Sequence, residues 1–133
     1  MTPKLVIFDC DGVLVDTEVI TNQILSDNLA RHGLKIAPDA CHALFTGGTM
    51  QSVLTEVRRR GAMLPEDWLD QVYAEIFAGL ATDLRVMEGL FPLLDALDAA
   101  SVKTCIASNG PPAKMDVSLA PSGLLERFKG RIY

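Results

Sequence analysis

The stretch Lys4–Glu18, KLVIFDCDGVLVDTE, decides how this chain is read. It opens on four apolar residues, Leu5-Val6-Ile7-Phe8. So short a run, rich in β-branched and aromatic side chains, predicts a buried strand of a parallel sheet. The run stops at Asp9, and Cys10, Asp11 and Gly12 follow. Open α/β sheets bind their ligands at the carboxyl ends of strands, and two carboxylates stand at this one. Gly12 permits a sharp turn. Two like charges at a sheet edge repel, and burial raises that cost. A magnesium ion with a phosphate group would relieve it, since that metal favours hard oxygen ligands and phosphate.

The composition sets outer limits. The 133 residues are 49% hydrophobic and 22% charged, an ordinary globular balance. The net charge is −5, and the densest basic run, Arg58-Arg59-Arg60, reads as the solvated end of a helix. An acidic chain without a basic stripe argues against nucleic acid as a partner. The three cysteines, Cys10, Cys41 and Cys105, are far apart and form no CxxC pair, so neither a zinc site nor a disulfide framework is indicated. Cys10 and Cys105 are expected to pack as small hydrophobes. The first apolar run is too short for a signal peptide, and no stretch is long enough to span a membrane. A cytoplasmic monomer is the expectation.

Past Asp16 the hydrophobic period changes from strand to helix. Thr17 is placed to cap a helix with Ile20, Ile24, Leu25 and Leu29 on one face, ended by Gly33. A second helix is expected over Asp39–Phe45. Thr49 is placed to cap a third, with Met50, Val53, Leu54 and Val57 inward and Gly61 as its stop. Pro65 suits the first turn of a fourth, whose stripe is Trp68, Leu69, Val72, Tyr73, Ile76, Phe77 and Leu80. A parallel crossover needs one helix, so four suggest an inserted bundle. Phe91, Leu94 and Leu97 then mark a short amphipathic helix. Val102–Ala107 reads as a second strand, ending at Ser108-Asn109-Gly110. A hydroxyl and backbone N–H groups at a strand tip make a phosphate cradle, although Asn-Gly is also a common turn. Pro111 and Pro112 start a helix over Ala113–Leu119. Leu124, Leu125 and Phe128 share another face, and Arg131-Ile132-Tyr133 reads as the onset of a third strand.

DCDGVLVDTE resembles the first motif, DxDGxxxD, of the haloacid dehalogenase superfamily of phosphatases and phosphomutases. SNG at 108–110 is similar to its second. The resemblance implies an α/β fold: a Rossmann-like parallel sheet core, incomplete here, over residues 1–16 and 82–133, with an inserted α-helical cap over 17–81. It implies that Asp9 is the nucleophile that takes the phosphoryl group. Asp11 would be the general acid and base, and both Asp9 and Asp11 would bind Mg2+, Asp11 through its carbonyl. Ser108, Asn109 and Gly110 would hold the phosphate. Substrate contacts would come from Glu18 and from the loop Thr46-Gly47-Gly48, where several relatives carry a basic residue that is not present beside Gly47 here. Lys114 stands earlier than the family's third-motif lysine and is expected on a helix surface. The fourth motif, an acidic pair, is absent too, so the 133-residue chain is expected to be a fragment of impaired activity.

The implied function is a magnesium-dependent phosphatase acting through an aspartyl-phosphate on a small phosphorylated metabolite. The resemblance is closest to the sugar-phosphatase and β-phosphoglucomutase-like branch, with a 6-phosphogluconate-type phosphatase among the candidates. Two alternatives stay open. A phosphomutase would use the same pair of aspartates, and a non-catalytic remnant or phospho-acceptor module would lack the later motifs.

Overall fold

The computed structural model describes residues 1–133. The first apolar run forms β1 (Leu5–Phe8). Four helices follow: α1 (Glu18–Arg31), α2 (Pro38–Phe45), α3 (Met50–Arg59) and α4 (Trp68–Asp83). The chain continues with α5 (Leu90–Ala99), β2 (Lys103–Ile106), α6 (Pro112–Leu119) and the single turn α7 (Leu124–Arg127). Two compact units result: Met1–Thr17 with Leu84–Tyr133, and Glu18–Asp83.

In the first unit β1 and β2 run parallel, with Leu5 opposite Lys103 and Phe8 opposite Ile106. The Ile106 N–H donates to the Arg131 carbonyl at 2.9 Å, and the Tyr133 N–H donates to the Ile106 carbonyl at 2.9 Å. The predicted third-strand segment therefore lies on the edge of β2 away from β1, bridged in parallel through Ile132. Side chains alternate across the sheet. Phe8 and Ile106 enter a core shared with Leu14, Val15, Leu90, Leu94, Leu119, Leu124 and Phe128. Phe8 meets Phe128 edge-on at 6.2 Å between centroids. Arg131 lies 5.2 Å over the Phe128 ring, and its guanidinium donates to the Thr104 carbonyl at 2.8 Å.

β1 is not buried on both faces as its apolar run predicts. Leu5 is 49% exposed and Ile7 61%. Helices and turns cover the Phe8–Ile106 face alone, so the alternate positions stay in water.

The second unit closes around α1 and α4. Trp68, Val72, Ile76 and Leu80 of α4 pack inward, as do Leu25 and Leu29 of α1. Gly79 permits this approach: a methyl group there would lie 2.4 Å from Ile24 Cδ1 and 3.2 Å from Ile20 Cγ2. The buried Trp68 Nε1 donates to Asn28 Oδ1 at 2.7 Å, and Asn28 Nδ2 donates to Glu75 at 3.1 Å. Thr49 caps α3 in a reciprocal box with Ser52. The basic run at the end of α3 is spent locally, since Arg59 and Arg60 both bond Glu56 and hold its carboxyl down to about 2. Pro65 stands in the turn ahead of α4, where its carbonyl accepts from the Trp68 N–H, rather than inside the helix.

The connectors to this unit lie side by side. The Asp16 N–H donates to the Arg85 carbonyl at 2.8 Å and the Met87 N–H to the Leu14 carbonyl at 3.0 Å. Val15 and Val86 thereby form an antiparallel bridge.

Candidate active site

Because Phe8 and Ile106 are register partners, Asp9 and the Ser108 segment leave neighbouring strand tips. Asp9 is exposed, and its Oδ1 accepts the Cys10 N–H at 2.6 Å. The chain then turns through Gly12 at φ +73°, a conformation that suits glycine. The Cys10 carbonyl accepts N–H groups from Val13, Leu14 and Val15. No backbone N–H of this turn uses the Asp11 carbonyl.

Asp11 is half-buried and held from two sides. The Thr17 hydroxyl donates to its Oδ1 at 2.6 Å, and Lys114 Nζ lies 3.1 Å from the same oxygen. Thr17 is 1% exposed. Its hydroxyl hydrogen goes to Asp11, a charge-assisted bond to a carboxylate. The expected surface position of Lys114 is corrected. Its side chain is only 18% exposed and reaches inward from the first turn of α6 to Asp11.

On the neighbouring tip the Gly110 N–H donates to Ser108 Oγ at 3.1 Å. The hydroxyl hydrogen stays available to a further acceptor. A methyl group built on Gly110 would sit 3.4 Å from Ser108 Oγ, 3.9 Å from Asp11 Oδ2 and 3.9 Å from Lys114 Cδ. Ser108, Asp11 and Lys114 thus converge around Gly110. Asn109, between them, is exposed.

The other residues singled out in the sequence lie in the helical unit. Glu18 Oε2 lies 3.6 Å from His42 Nδ1, and Thr46 Oγ1 lies 3.0 Å from the same nitrogen. The loop that lacks a basic residue beside Gly47 is therefore served by an imidazole one helical turn earlier. Gly47 takes φ +81°, and Gly48 makes room for Ser52 Oγ, which a methyl there would meet at 2.8 Å. Both glycines serve the turn into α3.

Cys10 is buried beside the two aspartates. Burial first, then Asp11, push its thiol up to about 12, with Lys114 opposing. It is a thiol and not a nucleophile at neutral pH. No group of three or more His, Cys, Asp or Glu is placed to hold a metal ion. Thr17 and Lys114, which meet Asp11, were not read from the sequence as site residues. VDTE placed Thr17 within reach, but no local period marked Lys114.

Residues 3–133 match the haloacid dehalogenase-like hydrolase family. The chain belongs to it. The 6-phosphogluconate phosphatase of Escherichia coli K12 is 31% identical over 132 residues, which span 98% of this chain and 58% of that enzyme. A conserved haloacid dehalogenase-like protein of unknown function from Agrobacterium tumefaciens C58 superposes with a TM-score of 0.86 at 32% identity, over 99% of this chain and 59% of its own. A haloacid dehalogenase family hydrolase from Deinococcus radiodurans R1, crystallised with bound phosphate and sodium, superposes with a TM-score of 0.77 at 32% identity, over 98% and 57%. The α/β fold with a helical cap is thus the fold of this chain, which spans less than two thirds of the length of these relatives.

Proposed function

We propose that this chain carries the phosphoryl-transfer half of a phosphatase for a small phosphorylated metabolite, of the sugar-phosphate type. The observation that supports it most is the convergence of Asp11 Oδ2, Ser108 Oγ and Lys114 around Gly110, beside the tip that carries Asp9. A hydroxyl, an ammonium and a carboxyl so grouped suit one phosphate group. The likeness to a 6-phosphogluconate phosphatase supports the choice of a sugar phosphate.

Asp9 Oδ attacks phosphorus, and the bond from phosphorus to the ester oxygen breaks. The leaving oxygen takes a proton from Asp11. Asp11 then accepts a proton from water, whose oxygen attacks the aspartyl-phosphate. The P–Oδ bond breaks, and the Asp9 carboxylate and inorganic phosphate are regenerated. One positioned carboxyl can serve both proton transfers. Thr17 keeps Asp11 turned toward Ser108 throughout.

Mg2+ fits the donors present. The exposed Asp9 carboxylate and the Asp11 carbonyl left free by the turn are hard oxygens, and this ion keeps several waters when protein ligands are few. When bound, it would neutralise charge on the phosphate oxygens.

The test is magnesium-dependent phosphate release from a panel of sugar phosphates, 6-phosphogluconate included. Asp9→Asn is expected to abolish release, because an amide is a poor nucleophile. Equal release by this variant and the unaltered protein would overturn the assignment.

A further inference from the structure

The nucleophile and the group it attacks both carry negative charge. A site for this reaction therefore needs a cation that touches the phosphate, and phosphoryl transfer leans heavily on such neutralisation. Of the ion pairs in the structure, one involves a carboxylate of the strand-tip site, and its cation is Lys114. We infer that Lys114 is a phosphate-binding residue, which donates to the phosphoryl oxygens between Ser108 and Asp11.

Three observations carry this. Lys114 lies one turn beyond Pro111, and its N–H donates to the Pro111 carbonyl at 3.0 Å, so the cradle and the lysine belong to one continuous turn. Its stem runs along Gly110, with Cδ 3.9 Å from the position a methyl would take there. Its ammonium has three N–H donors, and the Asp11 contact at 3.1 Å occupies one. The other two are available to an anion seated against Ser108. A lysine with its side chain 18% exposed loses much of its hydration, and a phosphate would supply acceptors in its place.

The inference rests on reading the strand tips as a phosphate site, and the experiment separates the two. Inorganic phosphate is titrated, with magnesium chloride present, into the 133-residue protein and its Lys114→Met, Lys114→Arg and Ser108→Ala variants, with calorimetry as the readout. Lys114→Met is expected to weaken phosphate binding by roughly tenfold or more, as loss of a charge-assisted hydrogen bond does. Lys114→Arg is expected to stay within a few-fold of the unaltered protein. If Lys114→Met binds phosphate normally while Ser108→Ala binds it weakly, Lys114 merely steadies Asp11 and the inference falls alone. If the unaltered protein shows no saturable binding, the phosphate site falls and the inference with it. Should Lys114→Met fail to fold, the side-chain ammonium resonance of Lys114 in the unaltered protein decides. It is expected to shift on phosphate addition, and an unmoved resonance at saturation would overturn the assignment.

Discussion

At the scale of single residues, the local environments separate three side chains that the sequence sets almost together. Asp9 is open to solvent, Asp11 is pinned, and Cys10 between them is sealed. Both donors to Asp11 meet Oδ1, which leaves Oδ2 on the Ser108 side to carry a proton. Ser108→Ala is expected to raise KM for a phosphorylated substrate by roughly tenfold and to lower kcat less, because in the proposed reaction the hydroxyl would meet the phosphate before and during transfer. Steady-state kinetics at fixed magnesium would show it. Cys10 makes a prediction in pH. Its thiol ionises near 9 in the unfolded chain and near 12 in the folded one. Between these values the unfolded chain binds fewer protons, so stability falls as pH rises, by up to ~1.4 kcal/mol per unit from this group. Below 9 it contributes no slope. Urea melts at pH 8 and pH 10 are expected to show a smaller loss for Cys10→Ala than for the unaltered protein. Thr17 and Lys114 show where sequence reading stops. A threonine before a helix advertises a cap, and only the folded turn reveals the carboxylate that takes its hydroxyl hydrogen. Lys114 is roughly a hundred residues from Asp11, and no local period encodes that meeting.

At the scale of elements, what was legible was what is local. The Thr49 cap, the stop at Gly61 and the α4 stripe are set by neighbours within a few positions, and each stands where the pattern placed it. The burial of β1 was not legible, because four apolar residues in a row do not say which of two faces is covered. Gly79 was silent for a similar reason. A glycine inside a helical pattern costs propensity, and its reason lies on α1. Gly79→Leu is expected to destabilise the helical unit by about 1–3 kcal/mol, since the larger side chain must displace both Ile20 and Ile24. Chemical denaturation followed by the fluorescence of Trp68, the only tryptophan, would measure it.

At the scale of the whole molecule, the sheet has one covered face and one wet one. Leu5 and Ile7 lie on the wet face opposite Lys103 and Cys105. Exposed apolar side chains grouped on one face invite association with another chain. Ile7→Lys is expected to leave the melting temperature within a few degrees, since a side chain already in water loses little packing. It is also expected to reduce any concentration-dependent association seen by sedimentation velocity. The paired connectors have a consequence for how the chain reaches this state. Leu5 must find Lys103 across the whole helical insertion, a search that makes distant pairings slow. Once Val15 and Val86 zip together, the effective loop shrinks to roughly a third, which lowers its closure entropy by about 1 kcal/mol. The helical segment can then lengthen or shorten without moving the two strand tips apart, so the insertion is free to vary while the tips that carry Asp9 and Ser108 keep their geometry.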